Sequence, residues 1–192
     1  MTHLAIIPGH GMRGGRYDPG ATAGDLVEAA IVRRQAAALR RMAPDRVSVH
    51  DLAEGSRRGY SRRRAAASAA IATSGGPGVI VHLHCNAGGG DYAFAAHDPR
   101  SDLGRRRAAE WLAAGAPRRL KMHGVGRVRS ISADSSAWPN VWAVLRRSYS
   151  ETPADVAAIL VECAFIDQAR HARMWTDSGV DALARSLLDA WR

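Results

Sequence analysis

The chain has 192 residues, 46% of them hydrophobic, which suits one globular domain with a real core and excludes compositional disorder. Lys plus Arg number 27 against 18 Asp plus Glu, a formal charge of +9 that favours an anionic partner; nearly all of the excess is arginine. Two cysteines, Cys85 and Cys163, exclude a disulfide scaffold and a CxxC zinc knuckle. The short apolar run at the N-terminus and the lack of any apolar stretch near 18 residues argue against a signal peptide and a membrane span.

Strand-like and helix-like stretches alternate along the chain. Strands are expected at residues 3–8, 47–51, 79–84, 92–97, 125–131 and 157–162, and helices at 25–42, 61–73, 102–114 and 180–191. Shorter segments at 138–148 and 168–176 are helix candidates. Strands separated by helices of this length predict a single α/β domain over residues 1–192 with a largely parallel sheet. The runs LAIIP, VIV and AAILV are apolar throughout, as strands covered on both faces should be. Neither a repeat nor a linker interrupts the chain.

Four strand ends or helix starts carry a residue able to bind metal or move a proton. His10 follows the first strand in PGHG, whose glycines allow a sharp turn over the sheet edge. Glu28 stands near the start of the first helix, after the 18–21 turn that can fold it toward His10; the helix dipole also favours an acid there without any function. His82 and His84 alternate on one strand face. His84, nearer the strand end and followed by Asn86 and three glycines, is the favoured ligand, and His82 is read as a core histidine or a support for the ligand. Glu162 ends an apolar strand, where a carboxylate is costly without a partner; burial would raise its pKa toward that of a general base, although an arginine ion pair would also explain it. Two histidines and one carboxylate make a hydrolytic zinc site with an open fourth position, and the further glutamate can handle protons.

Other candidates are weaker. His3, His50, His97, His123 and His171 have no partner at ligand spacing. Cys85 is expected in the core and Cys163 on the strand face opposite Glu162. Arg57, Arg58, Arg62, Arg63 and Arg64 read as a solvated helix face. Trp138 and Trp142 suit core packing or a sugar platform.

The segments IIPGHG…DPGATAGDLVEAA, VHLHCNAG and WAVLRRSYSETPADVAAILVECAFID resemble the zinc-dependent N-acetylmuramoyl-L-alanine amidases of the amidase-3 type, from about Leu4 to Ile166. The resemblance implies a twisted, mostly parallel sheet of about six strands flanked by helices. It also implies one zinc ion bound by His10, Glu28 and His84, a catalytic Glu162, and Asn86 beside the site as a substrate-binding residue. The implied reaction is hydrolysis of the amide between N-acetylmuramic acid and L-alanine of peptidoglycan. Three departures stand out: a longer stretch between His10 and Asp18, His82 in place of a small polar residue, and Ala164 in place of Gly. The expected biology is a phage or prophage endolysin, made in the cytoplasm and reaching the wall through a holin or by lysis. A sporulation enzyme of the host is its rival. A monomer is favoured and nucleic acid is not expected as a partner. The alternatives are a zinc peptidase or deacylase of the same fold, and a basic non-catalytic protein that binds an anionic polymer.

Overall fold

The computed structural model describes residues 1–13, 15–51, 59–113, 127–130 and 139–192. Its centre is a six-stranded sheet built from β1 (His3–Pro8), β6 (Val47–Val49), β7 (Gly78–Asn86), β8 (Phe94–His97), β9 (Arg127–Ser130) and β10 (Val156–Phe165). The spatial order is β6-β1-β7-β10-β8-β9. All neighbouring pairs are parallel except β8 with β10, which is antiparallel. The α/β class and the mostly parallel sheet expected from the sequence are therefore what the chain forms.

Helices cover both faces. On one face α1 (Glu28–Met42), α3 (Asp102–Ala113) and α5 (Asp177–Ala190) bury Ile31, Leu39, Trp111, Leu183 and Leu187 against Leu4, Ile6, Val79, Val81, Ala157, Ile159 and Val161. On the other, α2 (Gly59–Ser74) packs Ala67 and Ile71 on Ala5, Ile7 and Ile80. Beside it α4 (Pro139–Glu151) places Leu145 among Phe94, Ala96 and Leu160. Every residue of β10 is buried, which is why its sequence is apolar on both alternating faces rather than one.

Several boundaries differ from expectation for local reasons. The first helix begins at Glu28, because Leu26–Val27 (β5) pairs with Thr22–Ala23 (β4) around Gly24, whose φ of 56° suits a tight turn. Gly11–Arg13 (β2) and Arg16–Asp18 (β3) form a second small hairpin in the stretch between His10 and the turn at residues 18–21. The Gly14–Gly15 pair between them was its sequence signal. The segment expected to be helical at 168–176 is a 3-10 helix, Ala169–Trp175. Of the expected 125–131 strand, only residues 127–130 are described, and Arg57, Arg58, His123 and Trp138 lie outside the described residues. Among the described residues, no helix is long and apolar enough to cross a membrane.

Candidate metal centre

Parallel strands deliver their carboxyl ends to one edge of a sheet, and ligands gather there. Here β1, β7 and β10 are neighbours, so the residues that end them are brought together from across the sequence. His10 lies two residues past β1, His84 is near the end of β7, and Glu162 stands directly opposite His84 in the β7–β10 register. His82 and His84 project from the face that α2 and α4 cover; Cys85 and Cys163 belong to the core of the opposite face, as expected for both.

Glu28 is drawn to the same edge by the turn that precedes α1. The amides of Glu28 and Ala29 donate to the carbonyls of Ala21 and Pro19, which cap the helix start in place of a side chain. Glu28 is buried, and four groups converge on its carboxylate. Oε2 lies 3.2 Å from His10 Nε2 and accepts from the Ala21 amide; Oε1 lies 3.0 Å from His84 Nδ1 and accepts from the Cys85 amide. Burial alone would raise its pKa, but hydrogen bonds to His10 and His84, with their charges, hold it well below the usual carboxylate range. The same pairing works in reverse on His10. Burial pulls its pKa down, but the hydrogen bond and charge of Glu28, and then those of Asp18, push it up to about 9.

One ligand atom from each of His10, Glu28 and His84 can be chosen so that all lie within 4.8 Å of one another. The two rings meet edge to face at 5.0 Å between centroids. Two imidazoles and one ionised carboxylate are a donor set that suits zinc with one position left open. The carboxylate of Asp18 stands 3.0 Å from His10 Nδ1, on the far side of the ring from Glu28, where an outer carboxylate fixes a ligand's orientation.

Close backbone approach makes this cluster possible. A side chain at Gly9 would enter the His84 ring. One at Gly20, where φ is 69°, would come within 2.6 Å of both Glu28 Oε2 and His10 Cδ2. His10 itself has a φ of 55°, the one left-handed non-glycine residue among those described.

Glu162 is 6% exposed, and its Oε2 has no hydrogen-bond partner. Among the described residues, no arginine forms the ion pair that would have explained it structurally. Burial, reinforced by the charge of Glu28 and opposed by those of His84 and His10, pushes its carboxyl up to about 7. Asn86 is likewise buried; its Oδ1 accepts from the Ala87 amide, while Nδ2 finds no partner among the described residues. His82 is fully buried and does not reach the cluster. Its Nε2 meets Ser148 Oγ at 3.0 Å, and burial, with the charges of His84, Arg64 and Arg63, lowers its pKa to about 3. The other described histidines pair elsewhere: His3 and His50 with Ser48, His97 with the Asp98 carbonyl, and His171 with Asp91 and the Phe165 amide.

The arginine cluster on α2 departs from its expected role. Arg62 is exposed, but Arg63 and Arg64 are 3% and 1% exposed. Arg64 makes a two-pronged pair with Glu151 at 2.7 and 3.0 Å, and Arg63 donates to the Pro8 carbonyl at 2.6 Å.

No match is found among curated proteins. Among solved structures, the catalytic domain of CwlV, an N-acetylmuramoyl-L-alanine amidase from Bacillus (Paenibacillus) polymyxa var. colistinus, superposes with a TM-score of 0.69 at 16% identity, covering 98% of this chain and 96% of that one. The N-acetylmuramoyl-L-alanine amidase from Clostridium difficile 630 gives 0.69 at 18%, covering 98% and 94%. The catalytic domain of the CD27L endolysin targeting Clostridia difficile gives 0.62 at 14%, covering 99% and 96%. These likenesses establish the fold. The Amidase_3 family model, described as N-acetylmuramoyl-L-alanine amidase, matches residues 4–190, and the chain belongs to that family.

Proposed function

We propose that this protein is a peptidoglycan hydrolase that cleaves the amide between N-acetylmuramic acid and L-alanine, with one zinc ion held by His10, Glu28 and His84. The observation that carries the reading is the meeting of these three donors beside a buried, unpaired carboxyl, Glu162. A bound zinc ion would supply a Lewis acid and a water more acidic than bulk water. Glu28, ionised and held by two backbone amides, supplies the negative ligand without having to be reoriented. Asp18 holds the His10 ring through Nδ1.

Glu162 carries the proton. A carboxyl poised at about 7 can take a proton from the attacking water and return it to the departing amine of L-alanine. Asn86 Nδ2, a buried donor without a partner among the described residues, is suited to the carbonyl or acetamido oxygen of the substrate. The charge of +9 favours approach to an anionic wall. The proposal extends to a phage or prophage endolysin that acts on the wall as a monomer after release by a holin or by lysis; the likeness to an endolysin catalytic domain bears on the endolysin reading alone.

The test is mass spectrometry of muropeptides after digestion of purified peptidoglycan, with Glu162→Gln and chelator-treated protein as controls. The expected product is free stem peptide with a new L-alanine amine, absent in both controls. An unchanged digest from folded, zinc-loaded protein would overturn the substrate assignment.

A further inference from the structure

We infer that Arg33, Asp51 and Arg63 are positioning residues that clamp the His10 loop from both faces of the sheet, and that this clamp sets the affinity of the site for its metal ion. The inference rests on the zinc reading above, and concerns residues outside the ligand set.

The loop after β1 is an awkward piece of backbone. Pro8 ends β1, Gly9 and His10 lie beyond it, and His10 sits in the left-handed region with Gly11 next at a φ of 93°. Asp18 and Glu28 meet the His10 ring, and the backbone that carries the ring is held separately. The loop is held by two arginines that come from opposite helix layers. Arg33 of α1 donates through Nη2 to the His10 carbonyl at 3.3 Å, and its Nη1 lies 3.5 Å from the Gly9 carbonyl and 2.6 Å from the Ala29 carbonyl. Arg63 of α2, buried on the other side, donates to the Pro8 carbonyl at 2.6 Å. Three consecutive carbonyls are thus gripped by two guanidinium groups.

Asp51, just beyond the edge strand β6, ties the two together. Its carboxylate takes Nε and Nη2 of Arg33 at 2.7 and 2.8 Å, a two-pronged pair, and lies 3.9 Å from Arg63 Nη2. The fork of Arg33 is fixed by that pair, so its remaining N–H directions are set before the loop arrives. Gly11 completes the fit, since any side chain there would run into the Arg33 guanidinium. A lysine could supply the charge but not the planar fork. Outer partners of metal ligands are worth roughly ten- to a hundredfold in metal affinity. Here the partner is the ligand's own backbone rather than its ring.

The test has two arms on the full chain: Arg33→Met, Arg33→Lys and Asp51→Asn against the wild type. In the first arm, hydrogen–deuterium exchange of metal-free protein follows the amides of residues 9–11. Exchange should quicken about tenfold or more in Arg33→Met and Asp51→Asn, and less in Arg33→Lys, while amides of β7 and β10 stay protected. In the second arm, competition with a chromophoric chelator gives zinc affinity. It should fall about ten- to a hundredfold in Arg33→Met, with partial rescue by Arg33→Lys. Unchanged exchange at residues 9–11 in folded variants would overturn the clamp. So would zinc affinity within twofold of wild type despite quickened exchange. A wild type that binds no zinc, with the exchange difference present, would overturn the metal reading and the claim on affinity while leaving the clamp itself standing.

Discussion

Glu162→Gln should stabilise the metal-free protein at alkaline pH and leave it nearly unchanged at acid pH. Glu162 is buried, its carboxyl is pushed up from 4.5 to about 7, and burial is the main cause. The folded state therefore keeps the proton more tightly than the unfolded chain does. Between about 4.5 and 7 the unfolded chain releases its proton first, so stability falls as pH rises; above 7 both states are ionised and the penalty is constant. Each tenfold in the ionisation constant is worth about 1.4 kcal/mol, so the full penalty is on the order of 3 kcal/mol. Glutamine has nearly the same shape and no such penalty. The difference in unfolding free energy between variant and wild type should thus grow by about 3 kcal/mol from pH 4.5 to pH 8, or roughly 6–12 °C in Tm for a chain of this size. Urea denaturation in excess chelator at the two pH values measures it. A gap that is the same at both pH values would refute the idea that Glu162 is held protonated by burial.

With zinc bound, the same variant should lose about 10²–10⁴-fold in turnover while keeping its metal content, measured together by muropeptide release and atomic emission. The wild-type rate should rise with pH as Glu162 becomes a base, through a region below about 7 because the charge of bound zinc favours the carboxylate, and this limb should vanish in the variant. Gly20→Ala should cost about 1–2 kcal/mol of stability for its left-handed backbone. It should also weaken zinc binding, because the new methyl overlaps Glu28 and His10; chelator competition reads the second effect, and full affinity would contradict the close packing at Gly20. Ser148→Ala strips the partner from a buried His82 and should cost about 1–3 kcal/mol in urea denaturation, with zinc affinity unaltered. A neutral result there would mean that His82 does not depend on this bond.

What the sequence revealed, and what it hid, divides by range. The strands were legible because β1, β7 and β10 are apolar runs, and their carboxyl ends announced the edge where His10, His84 and Glu162 meet. The turn at residues 18–21 pointed to Glu28 for the same local reason. The burial of Arg63 and Arg64 was invisible, because it depends on a carbonyl 55 residues away and a carboxylate 87 residues away. A run of arginines looks the same whether its ends find such partners or water. Asp18 and Asp51 were missed as supports because each acts on another residue's geometry, which spacing does not encode. The choice between His82 and His84 was decided by depth. Two residues along one strand separate a fully buried ring against Ser148 from one that faces Glu28 at the rim.

The position of β10 has a consequence for how the chain is made. It is the last strand to be synthesised, yet it sits between β7 and β8 in the sheet. A chain that stopped at β9 would therefore lack the strand that joins β6-β1-β7 to β8-β9, leaving each group with an open edge. Val156–Phe165 pairs with β7 on one side and β8 on the other, and sets Glu162 opposite His84. A fragment that stops short of β10 would lack Glu162 and leave His84 without its partner in the β7–β10 register.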